Sequence, residues 1–203
     1  FTPLTSASTL TIVSSSASDT NFGTGAQYIS IYGVDDNYDY KFETIQLNGT
    51  TQVITASTWK GINRVLVVVS GSGQTNAGLI TITATTGGAT QAVIPAGEGT
   101  TQQAIFFVEK SHKFLTDFLK INVEKIGAGT TPKVRIKGWV YSTTANTKFL
   151  IFNEVIDTTI TSQSSVSPSQ PFIVDEKNCL WFEATTDQND TFVSCRFSGI
   201  LFR

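Results

Sequence analysis

The feature that most constrains this chain is its rhythm. Short runs rich in Val, Ile, Thr and Phe recur along 203 residues, and Gly, Asn and Asp interrupt them. β-branched and aromatic residues suit a pleated, half-buried surface, and turn residues at about 8–12-residue spacing are the pattern of a sandwich or barrel. The spacing predicts strands near Thr9–Ser14, Ala26–Val34, Tyr38–Leu47, Gln52–Ala56, Arg64–Ser70, Gly78–Ala84, Gln91–Ile94 and Gln102–Val108. Further strands are expected near Phe114–Lys125, Lys133–Tyr141, Phe149–Val155, Phe172–Val174, Leu180–Thr185 and Thr191–Phe202. The fold class is therefore all-β, an antiparallel β-sandwich or barrel. Glu109–Lys125 carries the best helical spacing, but its second half alternates like a strand, so it reads as a turn followed by a strand.

Several turns have a local mechanism. Asn48-Gly49 between two strand-like runs is a two-residue hairpin signal, because both residues tolerate positive φ. Gly87-Gly88 offers the same freedom. Asp35-Asp36-Asn37 forms a hairpin tip, and Gly127-Ala128-Gly129 closes another. Thr186 to Asp190 is expected to close the last hairpin. Thr161–Pro171 (TSQSSVSPSQP) reads as a polar connecting loop or a contact loop. Residues 1–203 are taken as one sandwich unit, with Glu109–Lys113 the candidate internal boundary. Phe1–Leu10, Thr- and Ser-rich, is a candidate N-terminal arm, extending to residue 13 at most, or a loosely ordered terminus.

Charge narrows the function classes. With 14 basic and 16 acidic residues the chain is nearly neutral, which argues against a nucleic-acid partner. No apolar run approaches the roughly 20 residues of a membrane helix, so no membrane partner is expected.

The residues for chemistry are sparse. His112 is the only histidine and sits among charges in EKSHK, as a solvated turn residue would. A nucleophile–base arrangement usually needs such a group with an orienting carboxylate. Cys179 and Cys195 lie symmetrically about Asp187, opposite each other if the last hairpin holds. They read as a cross-strand disulfide or as two buried small hydrophobes. Asp35, Asn37 and Asp39 open like a calcium loop, but Tyr40 stands where its glycine belongs. Asp187, Asn189 and Asp190 earn the same turn reading. Gly71-Ser72-Gly73 follows an apolar strand, yet a second strand succeeds it and not the helix a phosphate loop needs. Asn48-Gly49-Thr50 and Asn189-Asp190-Thr191 match the glycosylation pattern and are also good turns. Phe192, Phe197 and Phe106-Phe107 read as core. Trp59, Trp139 and Trp181 are open between core, interface and sugar-cleft roles. No catalytic, cofactor or metal residue is assigned, no cofactor is expected, binding residues are left unassigned, and the chain is expected not to be an enzyme.

Five motifs carry a resemblance: hairpins at Gly33 to Tyr38, Leu47 to Thr51 (LNGTT) and Thr75 to Ile82, a strand start at Ile62 to Arg64 (INR), and a turn at Ile94 to Thr100 (IPAGEGT). Between Ala26 and Val108 the chain resembles virion structural proteins of tailed phages, of the marine phage type, and the likeness continues more weakly to Phe202. A departure stands at Glu109-Lys110-Ser111-His112, where the family pattern has a Pro-Ala-Gly turn. The resemblance implies a jelly-roll-like β-sandwich on the surface of the virion, acting as a capsid cement or decoration protein. Its implied partners are the major capsid protein or other virion proteins, and further copies of itself, with a trimer favoured. The alternative is a tail or vertex protein that recognises a host surface glycan.

Overall fold

The computed structural model describes residues 1–125, 131–158, 163–166, 171–189 and 191–203. Among them the ordered elements are all strands, 15 in number, and every pairing is antiparallel. The all-β class expected from the rhythm is the class observed, and the sheets are consistent with the β-sandwich that the resemblance implied. Gly127-Ala128-Gly129 lies outside the described residues. The chain divides into two compact units, Phe1–Gln103 and Ala104–Arg203. Residues 109–113 fall inside the second unit, at the turn that enters its longest strand.

The first unit contains β1 (Leu10–Ser14), β2 (Ala26–Val34), β3 (Tyr40–Gln46), β4 (Val53–Ile54), β5 (Gly61–Ser70), β6 (Ile80–Ala84) and β7 (Thr90–Ile94). They form two sheets, ordered β4-β1-β6-β7 and β3-β2-β5. Alternation puts Leu10 and Ile12 of β1, Ile80 and Ile82 of β6, and Ile94 of β7 inward from one sheet. Ile29 and Ile31 of β2, Ile45 of β3 and Val65 of β5 point inward from the other, and Trp59 completes the cluster. This inward set corrects the expected arm. Residues 10–13 belong to β1 because Leu10 and Ile12 are fully buried, and Ser8 exchanges backbone hydrogen bonds with Trp59 of the same unit.

The tip expected at Asp35 is present. Its carboxylate Oδ1 accepts from the amides of Asn37 at 2.8 Å and Asp39 at 3.1 Å, and Tyr38 turns the corner at φ +62°. Gly87 and Gly88, both at positive φ, link β6 to β7. Asn48-Gly49 does form a turn, with Gly49 at φ +60° and the Thr51 amide donating to the Asn48 carbonyl. It does not close a hairpin, however. β3 pairs with β2 and β4 with β1, so the turn carries the chain from one sheet to the other.

The second unit contains β8 (Ile105–Phe107), β9 (Lys113–Lys125), β10 (Lys133–Ser142), β11 (Thr147–Asp157), β12 (Gln163–Val166), β13 (Ile173–Val174), β14 (Asn178–Thr186) and β15 (Thr191–Phe202). One sheet runs β11-β10-β14-β8. In the other, β9 is paired with β15 along its length and also with β12 and β13. β9 confirms the turn-then-strand reading of 109–125. The 161–171 loop needs correction: Gln163–Val166 is a strand, aligned from Gln163 opposite Asn122 to Val166 opposite Leu119. A polar run pairs there because ladder bonds use the main chain and place no demand on side-chain polarity. The rest of that loop lies outside the described residues, apart from Pro171.

The core of this unit is built differently. Leu119, Ile121 and Val123 of β9 meet Val134, Ile136 and Ile156 of the facing sheet. Beside them a file of rings runs Phe106, Phe114, Phe197, Phe182, Phe152, with successive centroids 4.6, 6.1, 5.3 and 6.2 Å apart. Tilted and edge-to-face pairs at such distances are the favoured aromatic geometries.

Candidate interaction surfaces

The residues singled out for chemistry are engaged in structure. The Nε–H of Arg203 can only donate, so Nε2 of His112 accepts from it at 3.3 Å. Nδ1 therefore carries the proton and donates to the Lys110 carbonyl at 3.0 Å. Glu109 Oε2 stands 3.9 Å from the same nitrogen. His112 is a turn residue tying the end of the described chain to the β8–β9 connection.

The cysteine hairpin is overturned. β14 pairs with β10 and β8, and β15 with β9, so the two thiols stand in different sheets. Cys179 lies opposite Tyr141 and Phe107, and Cys195 opposite Ile121. Both are free, and burial pushes the Cys195 thiol up to about 12 and Cys179 well above the usual range. Cys179 is the small buried hydrophobe of the alternative reading, Cys195 is half-buried against the core, and neither is a poised thiolate.

Asp35 spends its carboxylate on the hairpin amides described above. Asp187 accepts from the Lys133 amide at 2.8 Å, while Asp190 lies outside the described residues. Among the described residues no group of three or more His, Cys, Asp or Glu is placed to hold a metal ion. The amides of Gly71 and Gly73, which a phosphate would require, donate to the carbonyls of Gly25 and Thr24. A Cβ on Gly71 would fall 2.1 Å from the Gly23 carbonyl oxygen, so this glycine serves a close backbone approach.

One residue that the sequence did not mark organises the first unit. Asp19 is fully buried. Its Oδ1 accepts from the amides of Ala26 and Ala77, both at 2.7 Å; its Oδ2 accepts from the Ser14 hydroxyl at 2.5 Å and the Gly78 amide at 2.9 Å. Four donors satisfy the carboxylate and bind three distant segments together. Asn76 does similar work, donating to the Gly78 and Pro95 carbonyls and accepting from the Gly99 amide. Next to this knot Phe22 is 91% exposed at φ +59°.

Three parts of the surface stand out. The first is the outer face of β3-β2-β5. Register sets Tyr28 beside Gln46, Ser30 beside Thr44 and Tyr32 beside Phe42. Tyr32 and Phe42 stack at 6.3 Å, the Tyr28 hydroxyl donates to Gln46 Oε1 at 2.9 Å, and Arg64 of β5 lies opposite Tyr32. With exposed Tyr40, this makes a flat aromatic and polar platform.

The second part answers the question of the tryptophans. Trp59 and Trp181 are buried. Trp139 is half-buried, and its Nε1 donates to Glu183 while Lys148 Nζ stands 4.3 Å over its ring and Lys137 Nζ stands 5.8 Å away. The indole face is occupied by the protein's own cations.

The third part is the edge of the second unit. β11 ends its sheet, and along it Phe149, Leu150, Ile151 and Val155 are 50, 47, 37 and 49% exposed. β15 borders the other sheet with Phe192 and Ile200 similarly open. A strand edge shows unpaired N–H and C=O groups, and here apolar side chains accompany them. No family model, no curated protein and no solved structure matches the chain.

Proposed function

We propose that this chain is a non-enzymatic structural protein of a tailed-phage virion, a cement or decoration protein that stabilises the head through contacts with neighbouring subunits. The observation that carries the reading is the open edge of β11, where four large apolar side chains stand on an 11-residue border strand. A chain with only 15% charged residues keeps such an edge at the cost of aggregation unless something covers it. The five motifs that carry the resemblance to virion proteins point the same way. The step from β14 to β15, which changes sheets, is in keeping with a jelly-roll-like path. Major capsid protein or other virion proteins are the proposed partners, and the particle surface the proposed location. Mass spectrometry of purified particles, normalised to the major capsid protein, tests this. Hundreds of copies per particle are expected, a few to a few tens would shift the role to a vertex or tail, and absence would overturn it.

A second reading has its own observation. The platform of Tyr28, Tyr32, Tyr40 and Phe42, with Gln46 and Arg64 among the rings, has the mixed aromatic and hydrogen-bonding character of a glycan-binding surface. It would serve a host-recognising tail or vertex protein. Saturable binding to host polysaccharide, lost in Tyr32→Ala and Phe42→Ala but kept in Trp139→Ala, is the expected result. Absence of binding would remove it.

A further inference from the structure

We infer that the outer face of β3-β2-β5 binds an acidic glycan, with a sugar carboxylate on the Arg64 guanidinium and a sugar ring against Tyr32 and Phe42. The inference rests on the glycan-binding reading above and names the class of sugar. Arg64 is set for this by its neighbours. It lies directly opposite Tyr32, and cross-strand partners share a face. Its Nε donates to the Thr100 hydroxyl at 3.3 Å, and that hydroxyl donates to the Val65 carbonyl at 3.2 Å. The guanidinium is thereby tethered at one corner, while among the described residues no acceptor reaches its two terminal amino groups. Those groups form a fork that a carboxylate fits with two parallel hydrogen bonds.

The other charges of the first unit are engaged or turned away. Its basic residues are Lys41, Lys60 and Arg64. Lys41 and Glu43 alternate with Phe42 and leave β3 on the opposite side, where Glu43 accepts from the amides of Ala56 and Ser57. Lys60 donates to the Thr5 carbonyl, with Asp36 beside it. Asp19 is buried in its knot, Asp35 is held by the hairpin amides, and Asp39 is partnered. Glu98 stands two residues before Thr100; its carboxylate accepts from Gln102 Nε2 at 3.2 Å, and no ion pair joins it to Arg64. One guanidinium with one carboxylate in its vicinity suits an anion of single charge, which a sugar carboxylate is and a phosphate monoester is not. The rings supply the rest. Phe42 is 63% exposed, so the apolar face of a sugar can rest on it while sugar hydroxyls reach Gln46 and the Tyr28 hydroxyl. An acidic peptide fits less well, because the main-chain groups of a sheet face are already spent in the ladder.

Isothermal titration of the purified full chain tests the inference. The probes are oligosaccharides containing galacturonate, glucuronate or sialate, each beside its carboxyl-reduced counterpart. At least one acidic sugar is expected to bind at least about tenfold more tightly than its reduced form, and less tightly as salt rises. Arg64→Gln should abolish that preference, and Arg64→Lys, which keeps the charge and loses the fork, should retain part of it. Glu98→Gln should tighten acidic binding by about two- to fivefold. Circular dichroism should be the same for all three variants. A preference that survives Arg64→Gln, or stronger binding to dextran sulfate than to any carboxylated sugar, would overturn the inference. Equal affinity for acidic and reduced sugars, lost in Tyr32→Ala, would overturn it and leave the glycan-binding reading standing. Binding to no sugar of either kind would remove both.

Discussion

The two units solve the same problem with different materials. Of the 14 Phe residues only Phe1, Phe22 and Phe42 belong to the first unit, and all three are exposed. Its interior is aliphatic around Trp59, and its loops are tied by the buried carboxylate of Asp19. The second unit holds the other Phe residues and threads five of them through its core. The charges differ too. The first unit has three basic and six acidic residues, the second 11 and ten. The first unit places its organisation in polar loop contacts, and its open borders are the shorter strands β3, β4 and β7. The second places it in ring packing and, among the described residues, leaves two long strands open. Exposed aromatics in the first unit are therefore surplus to packing, and open edges in the second are surplus to the sheet. Those are the features on which the proposed contacts rest.

The contrast can be broken most sharply at Asp19. Asp19→Ala would leave four donors without their acceptor, three of them in buried bonds, and at about 1–3 kcal/mol for each buried one it should cost the first unit roughly 3 kcal/mol or more. Peptide-resolved hydrogen exchange should show protection lost in residues 1–103 and kept in the second unit. Equal loss in both would mean that the units do not have separate stabilities. Phe114→Ala removes the ring that joins Phe106 to Phe197 and should cost the second unit about 3 kcal/mol in urea unfolding. A loss below about 1 kcal/mol would show that the file of rings repacks around the gap.

A smaller effect belongs to Cys195. Unfolding restores its thiol to the ordinary value of 9.0, whereas in the folded unit burial holds it at about 12. The folded state therefore keeps a proton that the unfolded state releases. This contribution to stability is complete below pH 9 and declines as pH rises toward 12, by at most about 1.4 kcal/mol per pH unit. Cys195→Ala should flatten that part of the alkaline stability profile, and an unchanged slope would contradict the burial of the thiol. The smallest effect is expected at Phe22. Phe22→Gly should stabilise the first unit by about 0.5 kcal/mol, the release of left-handed strain less the added chain entropy. A clear loss of stability would mean that the ring packs, contrary to its exposure.

Much of the strand map could be read from alternation alone. β2 and β15 run between the residues expected, and β9 kept its strand reading against a competing helical pattern. Alternation is legible because a strand with one buried face must repeat every second residue. Turn geometry was legible at Asp35, Gly49 and Gly87 for a similar reason: φ preference belongs to the residue itself. β12 was not legible, because QSSV carries no apolar alternation in its sequence and pairs with β9 through its backbone. Asp19 was not legible either. Nothing in SSSASDT separates a solvated turn aspartate from one that gathers amides 58 and 59 residues away.

What the sequence by itself determined was which segments are strands, where the chain bends, and that its materials are those of an antiparallel sandwich. Those are local consequences of side-chain period and backbone freedom. The tertiary structure alone decided which strand each one joins. The Asn48-Gly49 turn and the 186–191 bend look like hairpins in sequence, yet both carry the chain between sheets. The Cys179–Cys195 pairing expected of the second therefore never forms. A turn sets only the direction in which the chain leaves it. The sheet that receives the next strand is chosen by where its apolar face can be buried, and that depends on residues far away in the chain.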